Sequence, residues 1–160
     1  MNTSEKIRNF VFGVEDSLVS TVGLVSGIAV AGVPAGTILL TGIVLVLVEA
    51  FSMAVGSLIS SNAAQEAILH KEIPLGFVWA GAFIMFISYI GSGILIVLPY
   101  ALFPVTTAFP VSIIIALSAL FLLGVISAGF SGTNRIKKGC VVALLGGIAI
   151  VLGSAVGIIF

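Results

Sequence analysis

Residues 37–60 read TILLTGIVLVLVEAFSMAVGSLIS, an apolar run whose one formal charge is Glu49. About 20 such residues in an α-helix cross the hydrocarbon core of a bilayer. Strict polar–apolar alternation is missing, which argues against a β-barrel strand. The stretch is a membrane-spanning helix, and it sets the class of the whole chain.

Four further runs of similar length flank it, at residues 10–33, 75–98, 111–130 and 140–160. The 160 residues are 60% hydrophobic and 8% charged, whereas a soluble domain carries about 25% charged residues. A secreted enzyme, a nucleic-acid-binding domain and a disordered regulator are thereby excluded. The formal net charge is zero, so no basic surface is available to attract a phosphate backbone. The single cysteine, Cys140, forms no intrachain disulfide, and with His70 the single histidine, the residues argue against a histidine metal cluster or a Ser-His-Asp triad within one chain. Lipid offers no partner to a free backbone group, so helices are the structural solution. The expected fold is all-α: one transmembrane domain over residues 1–160, with five spans and no separate soluble domain.

The connections agree. Residues 32–36 form a short Gly-Pro-Gly turn, residues 61–74 and 131–139 are polar, and residues 99–110 hold three prolines and no charge. With five spans, Lys6, Arg8, Lys71, Arg135, Lys137 and Lys138 all fall on one side. The positive-inside rule makes that side cytoplasmic. The N-terminus is expected inside and Phe160 outside or in a lumen. With no targeting extension before Phe10, a prokaryotic plasma membrane is the first expectation and a vacuole-like organelle membrane the alternative.

Three carboxylates sit within apolar runs: Glu15 and Asp16 in the first, Glu49 in the second. A charge at mid-membrane costs on the order of 2.5–3.5 kcal/mol on insertion scales. Such residues face a bundle interior or an aqueous path. Helical spacing puts Asp16, Ser20, Gly23 and Gly27 on one stripe, and Glu49, Met53, Gly56 and Ser60 on another. If the first two helices form an antiparallel hairpin, Asp16 lies level with Met53 or Ala54, and Glu49 with Thr21. A carboxylate is a hard anionic ligand and a thioether a soft one that favours transition metals over Mg2+ or Ca2+. Ser17, Ser20, Thr21 and Ser52 add hydroxyls, which can equally bond back within their own helices. Gly23, Gly27 and Gly56 are small positions suited to helix packing or a dimer seam.

These residues resemble a known family. FGVEDSLVSTVGLVSG at residues 12–27 is similar to FGxNDGLVSTxGLVxG, the first-helix signature of the vacuolar iron transporters, and Ser52-Met53-Ala54-Val55-Gly56 resembles their SMAxG. The later spans resemble the family more loosely, through Pro74, Leu98-Pro99-Tyr100 and the Gly-rich last run. The resemblance implies a five-helix homodimer that exports Fe2+, and often Mn2+, from the cytoplasm in exchange for protons. Asp16 falls on the family's essential aspartate and Met53 on its methionine. The departures are specific. Glu15-Asp16-Ser17 replaces Asn-Asp-Gly, and Gly56-Ser57-Leu58 replaces Gly-Glu-Tyr. Only residues 61–73, with Glu66, His70 and Glu72, stand where well-studied members insert a Glu-rich metal-binding domain.

The expectation is therefore an antiporter of Fe2+ and/or Mn2+ acting in metal homeostasis, not an enzyme, with no resident cofactor. Its partners are a second copy, divalent metal ions, protons and membrane lipid, and no nucleic acid. Asp16, Met53, Glu49, Glu15, Ser20 and Ser52 are the expected metal path. The alternatives are a non-transporting scaffold of the same fold and a proton-translocating proteolipid.

Overall fold

The computed structural model describes residues 3–159. Phe160, expected at the outer face, lies outside the described residues. Five helices follow in order: α1 Thr3–Val30, α2 Ala35–Leu69, α3 Trp79–Leu102, α4 Val105–Ser131 and α5 Arg135–Ile159. All five are long and apolar enough to cross a membrane. The chain is an all-helical membrane protein.

The contacts between helices establish their relative directions. Gly23 lies between Ala149 and Gly153, and Gly27 between Gly153 and Gly157, so α1 and α5 run parallel. Gly13 meets Met85 and Ser88 while Ser17 meets Tyr89 and Gly93, so α1 and α3 are parallel too. Gly42 of α2 packs on Val97 and Val25, and Val46 packs on Gly93, which makes α2 antiparallel to both. Gly124 of α4 rests on Gly139 and Gly146 on Leu120, so α4 runs against α5. Alternation brings all six basic residues to one end of the bundle.

α1 occupies the centre and touches each of the other four helices, with its largest contacts on α5 and α3 and a smaller one on α2. In lipid the hydrophobic effect does not drive helices together, so close backbone approach through small residues matters more. The α1–α5 seam meets that condition. A Cβ added at Gly153 or Gly157 would strike the carbonyls of Gly23 and Gly27 respectively. Leu18, Val22, Val25, Ile38, Ile96 and Leu120 fill the interior.

The helices outrun the apolar segments that announce them. α2 continues through the polar residues 61–69, because Ala63, Ala64, Gln65, Glu66 and Ala67 keep good helix formers in register beyond the hydrocarbon. It stops at His70, a left-handed residue with φ 50°. A 3-10 turn, Leu75–Phe77, then leads into α3. The three-proline connection nearly vanishes. Pro99 lies inside α3, Pro110 lies inside α4, and Pro104 caps α4 by accepting from the Thr107 and Ala108 amides. At the neighbouring turn on the same end of the bundle Gly32 takes φ 76°, which lets the chain reverse within four residues between α1 and α2.

Candidate functional site

Two polar regions adjoin each other near the base-rich half of α1. The first is formed by Asp16, Glu49, Ser20 and Tyr89. Asp16 and Glu49 are half-buried; Glu49 lies close enough to act electrostatically on Asp16, and both act on the Tyr89 hydroxyl. That hydroxyl shares a 2.8 Å hydrogen bond with Ser20 Oγ. Ser17 Oγ donates to the Tyr89 carbonyl at 2.7 Å, and Gly93 leaves room for Ser17. α1, α2 and α3 thus place two acids, a phenol and a serine hydroxyl in one neighbourhood of an otherwise apolar bundle.

The second region is an open cavity of about 820 Å³ between α1 and α2 that reaches Met85 of α3 and Ser127 of α4. Glu15, Met53, Ser52 and Gly56 line it. Gly56 has nothing within 4 Å of where a side chain would stand. Asp16 does not line this cavity, and Met53 meets Glu15 there instead. The reason is the hairpin register. Gly42 stands opposite Val25, about three residues nearer the turn than the expected register, and the offset brings Met53 level with about Val14 rather than with Asp16.

The two expected stripes do not face each other as a pair. Gly23 and Gly27 are occupied by α5, Ser20 turns to Tyr89, and Asp16 shares its surroundings with Glu49. Tyr89 is the residue that sequence reasoning passed over. Its signal was present: Ser88, Ser92 and Gly93 surround it in a run that is otherwise apolar. Thr21 Oγ1 and Ser26 Oγ, both fully buried on α1, have no hydrogen-bond partner.

The residues 61–73 do not build a metal site within one chain. Glu66 Oε1 accepts from Asn62 Nδ2 at 2.9 Å and from the Ile73 amide at 3.1 Å, so it closes the turn after α2. His70 and Glu72 are exposed. Among the described residues no three His, Cys, Asp or Glu side chains cluster as a metal cage.

An α-helical membrane bundle with half-buried acids, a thioether and hydroxyls along α1–α3 has the makeup of an ion transporter. The chain matches the VIT family over residues 7–75 and 73–158, and it belongs to that family, the vacuolar iron transporters. Membership makes it a metal-transport protein of the Fe/Mn class, and the family's members are transporters rather than enzymes. No curated protein matches the chain.

Proposed function

We propose that the protein exports Fe2+ and/or Mn2+ from the cytoplasm in exchange for protons, as a homodimer whose base-rich end is cytoplasmic. The observation that carries this reading is the joint placement of Asp16 and Glu49 beside Tyr89 and Ser20. A divalent cation between two carboxylates neutralises both charges, and the ligands must be ionised to bind it. Metal entry then expels protons, and alternating exposure of the pair couples the two fluxes.

The dimer is supported by what lipid cannot satisfy. Asp16 and Glu49 are half-buried, and Ser52 is exposed on a surface otherwise made of Val, Leu and Phe. Intramembrane acids pair with one another or line a cavity. A second copy covers them and doubles the donor set. Orientation rests on the six bases gathered at one end of the bundle.

The test is metal uptake into proteoliposomes that carry a pH gradient and an internal metal-sensitive dye. Unmodified protein should move Fe2+ or Mn2+, and Asp16→Ala and Met53→Ala should abolish the flux. Flux unchanged in both variants overturns the site. No divalent flux in the unmodified protein overturns the function and leaves a scaffold of the same fold.

A further inference from the structure

The base-rich end of the bundle divides into two unlike halves. At the α2–α3 turn Lys71 stands with Glu66 and Glu72. On the side of α1, α4 and α5 stand Lys6, Arg8, Arg135, Lys137 and Lys138, and Glu5 is the one acid at their level. Residues 73–160 contain no Asp or Glu, so the three bases of α5 have no carboxylate on α3, α4 or their own helix. The α1–α5 register brings the two sets together. Gly23 lies between Ala149 and Gly153, and extending that offset puts Lys6 and Arg8 level with residues 134–136. α4 agrees independently. Gly124 rests on Gly139, which puts Ser127 level with residue 136, and Ser127 lines the same cavity as Arg8.

The fold holds these bases in place. The Arg135 guanidinium lies over Gly129 in the last turn of α4, where a Cβ would stand 3.8 Å from it. Lys138 is half-buried and falls on the stripe of α5 that carries Ala149 and Gly153, the stripe turned toward α1. Lys6, Arg8 and Lys137 are exposed. Asn134 Oδ1 accepts from the Lys137 amide at 3.0 Å and fixes the start of α5. Toward the bilayer centre, Phe12, Val141, Leu144 and Ile148 are exposed and apolar. Cations above an apolar face complement a lipid, with its phosphate above and its acyl chains below. A zwitterionic headgroup carries its own cation, so an anionic headgroup is the better match for a surplus of bases.

We propose that this patch binds an anionic phospholipid, and that the bound headgroup removes the charge barrier the patch sets against cations entering at the base-rich end. Binding stands on the patch alone; the effect on entry rests on the transport reading above. Arg8 lines the cavity that also holds Glu15 and Met53, so a cation approaching those residues passes the edge of the patch. Exposed charges act over a Debye length of about 8 Å at physiological salt. The field at the mouth is therefore set by Arg8 and the bases beside it, and a phosphate seated among them cancels it.

The experiment titrates phosphatidylglycerol, phosphatidylcholine and inorganic phosphate into detergent-purified full-length protein and counts the bound species by native mass spectrometry. Phosphatidylglycerol should bind about tenfold more tightly than phosphatidylcholine. Lys137→Gln with Lys138→Gln should weaken it about tenfold, and Lys71→Gln, on the other half, should leave it unchanged. Equal binding of the two lipids, full binding in the double variant, or an equal loss in Lys71→Gln overturns the site. Inorganic phosphate that displaces the lipid mole for mole makes it a free-anion site and overturns the lipid assignment. If the double variant does not fold, Lys6→Gln decides: weaker phosphatidylglycerol binding supports the patch, and unchanged binding overturns it. For entry, Mn2+ flux is compared in vesicles of phosphatidylcholine alone and with phosphatidylglycerol added. Flux should rise severalfold with phosphatidylglycerol in the unmodified protein and respond less in the double variant. An equal rise in both removes the role in entry alone. Lipid binding by a protein that moves no Mn2+ in either vesicle contradicts the transport reading alone.

Discussion

The Tyr89 hydroxyl and Ser20 Oγ lie 2.8 Å apart and tie α3 to α1 beside the two membrane carboxylates. Ser20 belongs to the same helical stripe as Asp16, so the bond fixes the face of α1 on which the acid stands. Tyr89→Phe removes the hydroxyl and keeps the ring. Stability should fall by about 1 kcal/mol, the net worth of one hydrogen bond, while metal flux falls more steeply because α1 loses its rotational anchor. Thermal unfolding and proteoliposome flux on one preparation check this. Adding Ser20→Ala to Tyr89→Phe should cost little more, since the partner is already gone.

The α1–α5 seam should tolerate no added methyl at its centre. Gly153→Ala puts a Cβ into the Gly23 carbonyl, and backbone must move. The expected loss is about 1–3 kcal/mol, as for other overpacked sites. Gly56→Ala is the control: open space surrounds it within one chain, so monomer stability should not change. Thermal unfolding of both variants in one detergent separates the two cases. If Gly56→Ala shifts the dimer–monomer balance instead, the second copy packs at that position.

Glu66 should behave as a structural acid rather than a metal ligand. Glu66→Ala releases the Ile73 amide and the Asn62 side chain. Hydrogen exchange at Ile73 should accelerate, with a stability loss of about 1 kcal/mol. Fe2+ and Mn2+ affinity should stay at the unmodified value. A loss of metal affinity with unaltered exchange contradicts this assignment.

The membrane class, the five spans and the two central acids were legible from the sequence because each rests on a large free-energy term. A run such as residues 37–60 has one low-energy environment, and a carboxylate inside it needs a special reason to be there. Helix limits were less legible. The end of hydrophobicity at Ser60 marks the lipid boundary, whereas the helix ends only where His70 turns left-handed. Prolines were read as a loop, yet Pro99 and Pro110 sit inside helices near the end of the bundle. Partner choice was the least legible property. Gly23 and Gly27 announce close packing, but nothing in α1 says that the partner is α5. Tyr89 escaped notice for the same reason: its importance comes from what α1 and α2 bring beside it.

The central claim is that one carboxylate pair, Asp16 and Glu49, carries the metal and exchanges it for protons. The most direct measurement records Mn2+ uptake and vesicle pH together in the same proteoliposomes, for unmodified protein, Asp16→Asn and Glu49→Gln. The expected result is Mn2+ uptake with opposite proton movement in the unmodified protein, both lost in Asp16→Asn, and proton coupling weakened or lost in Glu49→Gln. Mn2+ uptake and proton movement unchanged in both variants would contradict the claim.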